Sequence, residues 1–235
     1  MYVCILNQAG ETLLHRNMKT TPEACLNVIA PYRPDIVVAV ECMFTWYWLA
    51  DLCADEEIPF VLGHALYMQA IHGGKAKNDK IDSQKIAVLL RGGMLPQAYV
   101  YPAERRATRD LLRRRMPLAH KRGELLAHGQ NPNSQYNLPA IGKNIAYQAN
   151  RDGVAERFAD PAVQKSLEVD LALVSYSAEL LRDVELPSVK TAKQPDANTL
   201  SLLQTVPGIG KILSLGLLYE IHHIDRFPRV QEFAS

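Results

Sequence analysis

Residues 35–40, Asp-Ile-Val-Val-Ala-Val, form an unbroken β-branched and small-apolar run that stops at Glu41. A run of this kind, with no polar alternation, is the pattern of a strand buried on both faces, and such a strand needs a sheet covered by helices. Its neighbours supply both. Residues 2–6 and 12–18 are extended runs around the turn signal Gln8-Ala9-Gly10-Glu11, a hairpin that begins without lead-in at residue 1. Thr21 is placed to cap a short helix that opens with Pro22 and runs to about Ala30. Residues 44–57 are helical by length and spacing, and residues 59–62 are a second short buried strand. Helices over 65–71 and 79–91 follow, separated by a polar loop and closed by Gly92-Gly93. Hairpin, helix, strand, helix, strand, helix is the order of an α/β sheet with at least one parallel pair.

After Pro102 the character changes. Residues 104–128 are Arg-rich and helix-permissive, with Pro117 expected to kink or end the first part. Residues 131–150 are rich in Asn, Gln and Pro and read as irregular. Residues 160–185 carry Val163, Leu167, Leu171, Val174, Ala178 and Leu181 at three- and four-residue steps, a stripe suited to a partner helix. A polar linker over 188–198 precedes a compact tail. The domains expected are therefore 1–102, 103–187 and 188–235. A chain of 235 residues, 48% hydrophobic and 22% charged, is an ordinary globular protein, which excludes a collagen, a disordered tail and a small disulfide scaffold.

The net charge of +1 hides an uneven distribution: −5 over residues 1–74, +8 over 75–130 and −2 over 131–235. A basic middle segment is the electrostatic footprint of a protein that meets a polyanion. The four cysteines, Cys4, Cys25, Cys42 and Cys53, include no C-x-x-C pair, lie mostly in apolar surroundings and read as buried thiols in a reducing cytosol. No apolar run is long enough to span a membrane and no signal pattern opens the chain, so a soluble, cytoplasmic protein is expected.

Four groups of residues could carry chemistry. Glu41 stands at the C-terminal end of the buried strand, the edge at which open α/β sheets place ligands. Asp79 and Asp82, in Lys77-Asn78-Asp79-Lys80-Ile81-Asp82, share one helical face about 5 Å apart. A divalent cation would relieve their repulsion, although Asp79 as an N-cap with Asp82 in the first turn would also stabilise a helix start with no metal. Lys75, Lys77, Lys80 and Lys85 surround the pair, which suits a place where metal and phosphate meet. Arg105, Arg106, Arg109, Arg113, Arg114, Arg115, Lys121 and Arg122 lie within eighteen residues, with Arg105, Arg109 and Arg113 on one face as a ladder for a phosphate backbone. Finally, Val206-Pro207-Gly208-Ile209-Gly210-Lys211 precedes an apolar helix over 212–221. Gly208, Gly210 and Lys211 are arranged there for a backbone phosphate, as in helix-hairpin-helix turns. That segment lacks the spacing of a nucleotide-hydrolysing loop, and the histidines have no metal-ligand spacing.

Taken in order, the hairpin start, the strand ending in Glu41, the stretch from Lys77-Asn78-Asp79-Lys80-Ile81-Asp82 to Ile86-Ala87, the Arg-rich helix and Leu203-Gln204-Thr205-Val206-Pro207-Gly208-Ile209-Gly210 resemble insertion-sequence-110 family transposases. The resemblance extends to Tyr219-Glu220-Ile221 and Arg226-Phe227-Pro228. It implies an RNase H-like (RuvC-type) mixed α/β sheet, a helical coiled-coil arm and a helical C-terminal transposase domain. It further implies Mg²⁺ held by a set of Asp and Glu for DNA strand cleavage and exchange. Element-encoded guide RNA and a homo-oligomer, dimer or tetramer, are the implied partners. By motif match Glu41 is the second acid of the set, and Asp79 and Asp82 are the third and fourth.

The family's first Asp lies on a strand before the hairpin, and its catalytic serine beyond Arg226-Phe227-Pro228. No residue here matches either. The sheet is thus expected to lack its first strand, the last domain to be partial, and the chain to read as a transposase cut at both ends and catalytically incomplete. Two other functions compete with it: a nucleic-acid-binding remnant without chemistry, and a RuvC-like nuclease using the same acids without transposition.

Overall fold

A computed structural model describes residues 1–33, 35–43, 45–71, 78–191 and 197–234. The fold is mixed α/β, mostly helical with small sheets. It divides into two compact units, Met1–Ala103 and Glu104–Ser235.

In the first unit, β1 (Tyr2–Leu6) and β2 (Thr12–Asn17) form the antiparallel hairpin. Gly10 closes the turn at φ +91°, a conformation that a side chain would strain. α1 (Pro22–Ile29) is capped by Thr21, whose Oγ1 accepts from the Ala24 N–H at 3.3 Å. β3 (Val38–Glu41) and β4 (Phe60–Gly63) pair in parallel, with Glu41 opposite Gly63. α2 (Tyr47–Asp55) connects them, and α3 (Ala65–Ile71) and α4 (Asp79–Arg91) follow. Two clusters form the core of this unit. Cys25, Ile29, Leu49, Cys53 and Ile58 pack under Val38 and Val40, while Trp46, Ala50 and Leu62 pack with Phe60 and Val100.

Two expectations change here. The β-branched run does not extend over residues 35–40: β3 begins at Val38, its four residues are half-buried, and Val37 is exposed. Among the described residues β3 is bonded to β4 alone, so it is an edge rather than a central strand. Nor do the strands join into one mixed sheet. Among the described residues they make two separate two-stranded sheets, with α4 packed against both β1 and β3 in place of a bridging strand.

The second unit is helical. α5 (Ala103–His128) runs unbroken through Pro117, which is exposed, so solvent can satisfy the carbonyl freed one turn earlier. α6 (Asn131–Gln135) and 3₁₀ turns at Gln148–Asn150 and Ala155–Arg157 punctuate the polar segment. α7 (Pro161–Thr191) is longer than expected. The residues read as the start of a linker are helical up to Thr191, since Ser188 is fully buried and Val189 packs on Leu112, Leu215 and Tyr219. α8 (Ala197–Gln204), α9 (Lys211–Ile221) and α10 (Val230–Ala234) complete it. The predicted stripe of α7 is used in part: Leu167 is buried with Ile145, Val154, Ala155 and Phe158, and Val163 and Leu171 flank that cluster. Among the described residues no helix is long and apolar enough to cross a membrane.

Candidate functional site

Glu41 ends β3 at the C-terminal edge of the parallel pair and is half-buried. One further ladder bond follows, the Cys42 N–H donating to the Gly63 carbonyl at 2.8 Å, and the chain then turns, with the Met43 N–H donating to the Glu41 carbonyl at 2.7 Å. Strand alternation puts Glu41 on the face opposite Val38 and Val40, the two β3 residues that join the core.

Asp79 and Asp82 occupy the first turn of α4. The cap is Asn78, whose Oδ1 accepts from the Ile81 N–H at 2.8 Å, leaving both acids inside the helix near its positive end. Asp79 is exposed and Asp82 half-buried, with Lys85 Nζ 3.8 Å from Asp82 Oδ1. His15, on β2, reaches the same turn: Nε2 lies 2.9 Å from the Lys80 carbonyl oxygen and 3.3 Å from Ser83 Oγ. No sequence pattern points to this contact, because it joins residues 65 and 68 positions apart. Lys75 and Lys77 lie outside the described residues.

Carboxylates suit Mg²⁺ chemically, being hard oxygen donors. Geometry decides otherwise for the set as it stands. Among the described residues, no three His, Cys, Asp or Glu side chains come together closely enough to hold a metal ion. Asp79 and Asp82 share a turn, and Glu41 does not complete a ligand group with them.

In the second unit the arginine ladder exists as a face of α5, but it faces α9. Arg109 donates to Glu220 Oε2 from Nε at 3.1 Å and from Nη2 at 2.7 Å, and Arg113 Nη1 reaches Oε1 at 3.3 Å. Arg105 stacks its guanidinium 5.8 Å from the Tyr219 ring centre. Arg106 is buried. Arg115 bonds to Glu185 at 2.5 Å, and Arg122 Nη2 donates to the Ala146 carbonyl at 3.0 Å. Arg114 and Lys121 are exposed, Lys121 paired with Glu124 at 2.9 Å. Most of the cluster therefore holds the helices together, and the exposed Arg and Lys side chains of the cluster are Arg113, Arg114 and Lys121.

The Pro207-Gly208 turn is exposed, with the Ile209 N–H donating to the Val206 carbonyl at 3.0 Å and Gly208 at φ +87°. Proline followed by a positive-φ glycine is the pattern of a type II turn. Gly210 then caps α9 with no side-chain bond, and Lys211, the first residue of the helix, is exposed.

Comparison with known families adds an independent finding. The transposase family model DEDD_Tnp_IS110 matches residues 1–130, and a second model, described as Transposase IS116/IS110/IS902 family, matches residues 200–235. A search of curated proteins gives no match.

Proposed function

The chain belongs to the IS110 family of transposases, and we propose that it acts on DNA in the cytoplasm as the strand-cleaving and strand-exchanging protein of an insertion sequence. The observation that carries this reading is the family match over residues 1–130, which spans both Glu41 and the Asp79/Asp82 turn. Strand cleavage and exchange are phosphoryl transfers, in which a protein contributes chiefly positioning and electrostatic stabilisation. In this proposal Glu41, Asp79 and Asp82 are the acids of an RNase H-like domain. Mg²⁺ is the cofactor the reading calls for, Lys75 and Lys77 precede the acids in the sequence, and Arg113, Arg114 and Lys121 of a coiled-coil arm meet phosphates. Gly208, Gly210 and Lys211 offer a second phosphate contact at the start of α9. A structured guide RNA and a homo-oligomer belong to the same reading.

A second reading, nucleic-acid binding without strand chemistry, is favoured by one observation: the three acids do not gather into a ligand group. Titrating Mg²⁺ into the chain and into the Glu41→Ala/Asp79→Ala/Asp82→Ala variant separates the two. Saturable binding that the variant loses supports the acid set. Equal affinity in both overturns it.

A further inference from the structure

α4 packs against β1, β2 and β3, but its buried residue, Leu89, lies seven positions beyond Asp82, and the turn that carries Asp79 and Asp82 holds no fully buried side chain. The Asn78 cap and the Lys85 contact are local and shape the turn, but neither fixes how the helix is rolled against the sheet. His15 supplies a contact of the other kind. Its Nε2 lies within hydrogen-bond distance of both the Lys80 carbonyl and Ser83 Oγ. Ser83 Oγ itself donates to the Lys80 carbonyl at 2.9 Å, so its proton is engaged, and Nε2 carries the hydrogen that both oxygens share. The imidazole is also held from the side. Tyr2, the diagonal neighbour of His15 across the hairpin, meets it edge-to-face at 5.8 Å.

We infer that His15 is a positioning residue of the DNA-cleaving site: a donor from the hairpin that clamps the first turn of α4 and so sets the direction in which Asp79 and Asp82 present their carboxylates. The inference rests on the function proposed above. Lys80 and Ser83 bracket Asp82 in sequence and lie on the same helical turn as Asp79, so rotation about this clamp moves both acids together. A displacement of about 1 Å at reacting groups costs about 100-fold in rate. The role asks only for an N–H donor at this point, not for a charged imidazole, so glutamine can replace it and alanine cannot.

The test compares wild type, His15→Ala and His15→Gln, measuring single-turnover cleavage of duplex DNA in magnesium buffer at saturating protein, together with DNA affinity and thermal unfolding. Cleavage slowed about 100-fold in His15→Ala, restored to within a few-fold by His15→Gln, with DNA affinity unchanged, supports the assignment. Equal cleavage by wild type and His15→Ala overturns it and leaves the proposed function intact. Loss of DNA binding and melting temperature together, unrelieved by glutamine, makes His15 a folding residue and also overturns it. Absence of cleavage by the wild type, in a preparation that binds duplex DNA, overturns the proposed chemistry and the inference with it.

Discussion

Replacing Arg109 with methionine separates a structural arginine from a phosphate-binding one. The side chain is 14% exposed and donates twice to Glu220 Oε2, at 3.1 and 2.7 Å. Removing one member of an ion pair sealed from water costs about 3–5 kcal/mol, because a bare charge is left behind. Here the Glu220 side chain is 42% exposed and keeps Arg113 at 3.3 Å. Solvent and the second guanidinium lower the cost to about 1–2 kcal/mol. Methionine retains most of the aliphatic packing, so little cavity term is added. Hydrogen exchange of the α9 amides reads the change directly: a loss of that size speeds exchange at Leu215, Leu218 and Tyr219 by about 5–30-fold. The variant keeps the salt dependence of DNA binding, whereas Arg114→Ala lowers the slope of log K against log salt by about 1. Unchanged exchange combined with a lowered slope in Arg109→Met would refute the reasoning and return Arg109 to the nucleic acid.

Two further outcomes follow from the titratable groups. Burial, and then the neighbouring Cys25, push the Cys53 thiol up to about 11, and burial also raises Cys25, while Cys42 is exposed. A maleimide at pH 8 should therefore label Cys42 rapidly and Cys25 and Cys53 only after denaturation, as mass spectrometry of the products will show; rapid native labelling of Cys53 would contradict the packing of α1 on α2. Burial, followed by Arg105 and His223, holds His222 below the usual imidazole range; Glu104 opposes them, and Arg226 adds a smaller push downward. The unfolded chain then takes the proton more readily. This contribution to stability is complete above the ordinary imidazole value of 6.5 and is lost as pH falls below it toward the depressed folded value. His222→Asn, which also suits the positive φ of +60° there, should flatten the acid side of a melting-temperature profile. A profile as steep as that of the wild type would place the titration elsewhere.

Local signals carried much of the fold. The hairpin turn at Gly10, the Thr21 cap and the Gly92-Gly93 stop after α4 all act within a few residues, and the chain folds accordingly. What the sequence could not convey was partnership between distant segments. Arg105, Arg109 and Arg113 do share a helical face, but whether that face meets phosphate or Glu220, more than a hundred residues away, is decided by the docking of α9. The same holds for the residues from Ser188 to Thr191, whose polarity suggested a linker until the burial of Ser188 and the packing of Val189 against α5 and α9 made them helix. Pro117 shows the reverse: a strong local breaker overridden because the turns on either side of it are anchored through Leu112 and Leu126. At the acidic turn, the spacing of Asp79 and Asp82 located the pair. The cap at Asn78 and the clamp from His15 needed the fold.

The central claim is that Glu41, Asp79 and Asp82 carry DNA strand chemistry, and plasmid nicking tests it most directly. Supercoiled DNA is incubated in magnesium buffer with the wild-type chain and with the Glu41→Gln/Asp79→Asn/Asp82→Asn variant, after both are shown to bind duplex DNA equally. The proposed strand chemistry, which sets aside the incompleteness expected from the resemblance, predicts strand cleavage by the wild type and none by the variant. Tight binding with no cleavage by either, or the same cleavage by both, would contradict it.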